Sequence, residues 1–158
     1  MTISPVSAPH PAYLARALDR LAPQARRVAS LSASATPAQA RAARVWARGV
    51  LDTWGLPEEA AGDVLLVVAE LAANAAEHGG EEMTVTLVLG PHAVRVLVAD
   101  SGTARAPGWP VPEHPAGPWE ERGRGLALVR ALAHFCEVDP HADTGGVHVR
   151  ADVLTAAG

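Results

Sequence analysis

The chain has 158 residues and a mass of 16.3 kDa, the size of one domain, since single domains cluster near ~100–150 residues. Hydrophobic residues make up 49% and charged residues 19%, with a mean hydropathy of +0.11, which excludes disorder as the main state. A net charge of −4 excludes a general nucleic-acid binder, which needs a basic surplus to displace counterions from phosphate, and leaves room only for a local basic face.

Residues 1–25 are expected to form a tail and a short amphipathic helix, and 26–158 one folded domain. The first ten residues are rich in Ser, Pro and Ala and read as a loose tail. Residues 1–20 have no basic stretch followed by an apolar one and do not read as a signal peptide. Tyr13, Leu14, Ala17, Leu18 and Leu21 then follow helical spacing, a face that docks on the core or on a second subunit of a homodimer. Val28 to Ser34 alternates like an edge strand. Thr36-Pro37-Ala38-Gln39 combines an N-cap, a proline at the first helical position and a capping-box glutamine, so a helix runs from Pro37 to Trp54 and stops at Gly55. Pro57, Glu58 and Glu59 open a second helix, with negative charge at the positive end of its dipole, and it ends near Gly79-Gly80.

The period then changes. Thr84 to Leu89 and Val94 to Ala99 are β-branched runs separated by Gly90-Pro91-His92, two adjacent antiparallel strands. Ser101 to Arg122 is proline-rich, has no apolar period, and is longer than the ~12–15 residues of ordinary loops. A helix resumes after Gly125 through Leu126, Val129 and Ala133. Strands near His134 to Val138 and Val147 to Val153 flank a turn at 143–146. This order predicts a two-layer α+β sandwich on a mostly antiparallel sheet. No apolar run approaches the ~20 residues that cross a bilayer. The one cysteine, Cys136, allows no internal disulfide and reads as a small buried residue of a cytoplasmic protein.

In the second helix Val64, Val67, Val68, Leu71 and Ala75 form the stripe that packs on the sheet. Glu70, Asn74 and His78, at i, i+4 and i+8, form a second stripe projecting a carboxylate and a carboxamide into one space. An ordinary solvated face accounts for them too. Asp100 has the parity of Val94, Val96 and Val98, so it points inward, where a carboxylate needs a donor; otherwise it lies in the following turn. Glu121-Arg122-Gly123-Arg124-Gly125-Leu126 leads a glycine-bearing turn into a helix start, where free N–H groups, Arg122 and Arg124 suit phosphate, although most such sequences are only turns.

Taken together, these segments resemble the ATP-binding domain shared by gyrase, Hsp90, histidine kinases and MutL, and within it the small bacterial anti-sigma-factor serine/threonine kinases. The resemblance spans about Val28 to Val153. It rests on Glu70 to Gly79 as an N box, Asp100-Ser101-Gly102 as a first glycine box, and Gly123-Arg124-Gly125-Leu126-Ala127-Leu128-Val129 as a second. It implies a Bergerat-type fold, a mixed, mostly antiparallel sheet with helices on one face. It further implies ATP and Mg²⁺ as ligands, Asn74 coordinating the metal, and Glu70 as catalytic general base. Asp100 would bind the adenine amino group, with Gly102 allowing close approach. Arg122, Gly123, Arg124, Gly125 and Leu126 would line the phosphates, and Thr103 to Arg122 would form a lid. His78 matches the N box and is read as structural. The family's partners would be an antagonist protein and a sigma factor, with neither nucleic acid nor membrane contacted directly.

The sequence departs from the pattern at Asp100-Ser101-Gly102-Thr103-Ala104, which lacks a second glycine, and at Gly145 to Arg150, which lacks the usual lysine or threonine and aromatic. The alternative is therefore a non-catalytic interaction module of the same fold. A sensor-kinase fragment is disfavoured by the absence of a dimerisation helix with a phosphoacceptor histidine. Arg41, Arg44 and Arg48 form a helical stripe, either a solvated face or a dock for an acidic partner. Trp46 and Trp54 read as packing residues, whereas Trp109 and Trp119 in the long loop would cover a nucleotide, touch a partner or pack back on the domain. The histidines show no zinc-site spacing, and the absence of lysine excludes a Walker-type phosphate loop.

Overall fold

The computed structural model describes residues 27–78, 81–100, 124–140 and 147–155. Strand β1 (Arg27–Ser34) is followed by helices α1 (Pro37–Trp54) and α2 (Glu58–His78), strands β2 (Glu82–Leu89) and β3 (Ala93–Asp100), helix α3 (Arg124–Leu132), and strands β4 (Phe135–Pro140) and β5 (Val147–Leu154). The expected N-terminal helix, the segment 101–123 and the turn at 143–146 lie outside the described residues.

Local chemistry sets the helix ends. The Gln39 backbone N–H donates to Thr36 Oγ1 at 3.2 Å, satisfying one of the orphan donors of α1's first turn. Gly55 closes α1 with φ +72°, a left-handed conformation that costs a side chain ~1–2 kcal/mol. Its N–H reaches the Asp52 carbonyl at 3.0 Å.

The sheet order is β1-β2-β3-β5-β4, and all four pairings are antiparallel. The parallel component of a mixed sheet is thus absent among the described strands. The reason is topological: β4 runs parallel to β3, but β5 returns between them, so the two never pair. Val94, Val96 and Val98 of β3 share one face with Val153, Ala151 and Val149 of β5. Val64, Val67, Val68, Leu71 and Ala75 of α2 lie against that face, fully buried. Leu51 of α1 and Val129 of α3 complete the core, each large apolar side chain contributing about 1.5–3 kcal/mol of burial. Trp46, Trp54 and the half-buried Cys136 pack at its edge. Burial pushes the Cys136 thiol up, against the opposing pull of Arg130. Among the described residues no helix is long and apolar enough to cross a membrane.

Candidate functional site

Because the Val64 to Ala75 stripe fixes the rotation of α2, Glu70 and Asn74 are turned to its flank, and both are half-buried. The first turn of α3 lies against them. A Cβ built on Gly125 would stand 2.6 Å from Glu70 Oε2 and 3.8 Å from Asn74 Oδ1, so any side chain here would push the Glu70 carboxylate aside. Val129, one turn further on, is fully buried and anchors the helix in that position. Two motifs roughly fifty residues apart in sequence thus meet at one junction of carboxylate, carboxamide and the N-terminal end of a helix.

Asp100 ends β3 and is only 7% exposed, with Met83 as its partner across β2. It occupies the strand rather than the following turn and shares the parity of the core valines. Arg124 and Leu126 contribute backbone to α3's first turn. Gly102, Arg122, Gly123, the loop Thr103 to Arg122, and Trp109 and Trp119 fall outside the described residues.

The donor set fits the implied ligands. Glu70 and Asn74 offer hard oxygens of the kind Mg²⁺ takes, and Gly125, having no side chain, brings the N-terminal end of α3, with its free N–H groups, up to both of them. Among the described residues no group of three or more His, Cys, Asp or Glu forms a competing metal site.

Sequence reasoning did not find the groove between α1 and α2. It has a volume of about 450 Å³, and Ala69, Ala73 and Glu77 of α2 face Pro37, Arg41 and Arg44 of α1 across it. Ala69 and Ala73 immediately precede Glu70 and Asn74 in the chain. The only signals available were the arginine spacing on one helix and the row of alanines on the other, each ordinary by itself. A second cluster lies on the far face of the sheet. Arg95 grips Asp152 through Nε (2.6 Å to Oδ1) and Nη2 (2.8 Å to Oδ2), and Arg150 adds a third bond at 3.0 Å. Burial works to raise the Asp152 carboxyl, but these bonds outweigh it and hold the group below the usual carboxylate range.

The histidine kinase-like ATPase domain family matches residues 33–152. No curated protein matches the chain in sequence. Among solved structures, the RsbU and RsbW domains of Rv1364c from Mycobacterium tuberculosis superpose with a TM-score of 0.61 at 23% identity, over 84% of this chain and 34% of that one. The SiaB–SiaC complex from Pseudomonas aeruginosa gives a TM-score of 0.48 at 12% identity, over 94% of this chain and 99% of that one. The first likeness shows the fold, and the chain spans about a third of that relative's length.

Proposed function

The chain belongs to the histidine kinase-like ATPase domain family, and on that premise we propose that it is an ATP-dependent regulator of the anti-sigma-factor type. It passes a phosphoryl group to a serine or threonine of an antagonist protein and controls transcription by exchanging partners. The observation that carries this reading is the close approach of Gly125 to Glu70 and Asn74. Bound Mg·ATP supplies the electrophilic phosphoryl group. Asn74 holds the metal through its carboxamide oxygen, and the first turn of α3 presents backbone N–H groups to the phosphate oxygens. Asp100 accepts a hydrogen bond from the adenine amino group. Glu70, one turn from Asn74, takes the proton of the attacking hydroxyl.

The groove between α1 and α2 supports the partner-exchange half of the proposal, since Arg41 and Arg44 face Ala69, Ala73 and Glu77 across it. It also favours the second reading, a non-catalytic interaction module of this fold. Turnover of Mg·ATP to ADP, measured with the antagonist protein supplied as phosphoryl acceptor, separates the two. Under the first, Glu70→Ala binds ATP as the wild type does and loses about 10²–10⁴-fold in turnover, the span of general-base contributions. Equal turnover in both proteins removes Glu70 from the chemistry, and nucleotide binding without turnover in the wild type supports the interaction module.

A further inference from the structure

The face of the sheet turned away from the helices is dry, although no described element lies on it. By the strand register, Thr84, Thr86 and Val88 of β2 share this reverse face with Ala99, Leu97 and Arg95 of β3, and His148, Arg150 and Asp152 of β5 continue it. Thr86 and Val88 are each 1% exposed, Leu97 3% and His148 6%. The core beneath the helices contains Met83, Val85, Leu87, Val94, Val96 and Val98 but none of these reverse-face residues. A bare sheet face leaves its central side chains in water, so the covering layer comes from outside the described residues.

The face is also chemically prepared for burial. Ser30 and Thr86 hydroxyls pair at 2.8 Å and those of Ser32 and Thr84 at 3.1 Å, while Arg95 and Asp152 neutralise each other through two bonds. A solvated surface has no need of such pairing, whereas buried polar groups must have partners.

We propose that the reverse face is the docking site of the chain's own residues 1–26, seated through Tyr13, Leu14, Ala17, Leu18 and Leu21. This segment runs directly into Arg27, the first residue of the edge strand β1. As a helix, residues 11–21 span roughly 16 Å, about three interstrand spacings of ~4.8 Å. That is the reach from β1 across β2 and β3 to β5, and these inner strands carry the buried row. The five residues 22–26 extend to at most ~18 Å, enough to bring the chain up from β1 and over the face. The other long segment, 101–123, is tied at Asp100 and Arg124, and Asp100 has the parity of the opposite, helix-covered face.

The proposal is independent of the nucleotide assignment. Its test uses the full chain carrying Cys136→Ala, with a nitroxide on Asp19→Cys, on the far side of the apolar stripe. A matching label on Ala106→Cys probes segment 101–123, and Ala15→Cys substitutes if Asp19→Cys disturbs the fold. Paramagnetic broadening of methyl signals is then read. With the N-terminal label, Val88 and Leu97 should broaden several-fold more than Val64 and Val96, and mixing spin-labelled chains with isotope-labelled ones should give no broadening. Broadening of Val88 and Leu97 from Ala106→Cys alone, broadening in the mixed sample, or none from any label would each overturn the proposal, the first two identifying the loop or a second copy as the cover.

Discussion

Along helix α2 two neighbouring stripes have opposite duties. Val64, Val67, Val68, Leu71 and Ala75 are fully buried against the sheet, whereas Glu70 and Asn74, on the same turns, remain half-buried and meet the bare backbone of Gly125. The core stripe fixes how far the helix is rotated, and the polar stripe inherits that rotation. Site geometry on such a helix is therefore set by packing that never touches a ligand, and substitutions in the two stripes should separate stability from binding.

The largest effect is expected from Leu71→Ala, which opens a cavity in the core stripe. It should cost about 2–5 kcal/mol in denaturant unfolding, with Mg·ATP affinity of the folded fraction little changed. If affinity falls as steeply as stability, the stripes are not separable. Asp152→Asn tests the same separation from the far side of the sheet. At neutral pH it should lose about 1–2 kcal/mol, allowing for partial exposure. Because the Asp152 carboxyl is held low in the folded state, its stabilisation is complete above the ordinary unfolded value of ~3.9 and is lost as pH falls through the lower folded value. Unfolding followed from pH 7 into the acid range should thus show a shallower fall in the variant than in the wild type.

Gly125→Ala probes the site stripe. Alanine suits a helix better than glycine by as much as ~1 kcal/mol, so stability should hold or rise, while its methyl crowds the first turn of α3, where the phosphates would meet the backbone N–H groups, and weakens Mg·ATP binding about tenfold, or ~1.4 kcal/mol. Unchanged affinity would mean the close approach has no part in binding. The smallest effect belongs to Thr36→Ala, which removes the cap of α1 and should cost about 1 kcal/mol in thermal unfolding without altering nucleotide affinity.

Much of this was legible in the sequence wherever the signal is local. Thr36, Pro37 and Gly55 mark both ends of α1, and alternation marks β2 and β3, because caps and strand parity depend on near neighbours. The two stripes of α2 follow from helical period alone. What stayed hidden depends on distant pairing. Nothing near Val147 announces that β5 inserts between β3 and β4, and the approach of Gly125 to Glu70 has no short-range signature beyond a glycine at a helix start. The groove at Arg41 and Arg44 needs two helices to exist. Burial of Thr86 and Val88 on the reverse face was obscured because β2, buried on both sides, carries threonines whose hydroxyls are satisfied by serines of β1.

The central claim, that Glu70, Asn74 and the first turn of α3 form a Mg·ATP site, is tested most directly by calorimetric titration with ATP, with and without Mg²⁺, on the wild type and Asn74→Ala in parallel. Magnesium-dependent binding by the wild type that is lost in Asn74→Ala is the predicted result. Equal binding by both proteins, or no binding by the wild type at millimolar ATP, would contradict it.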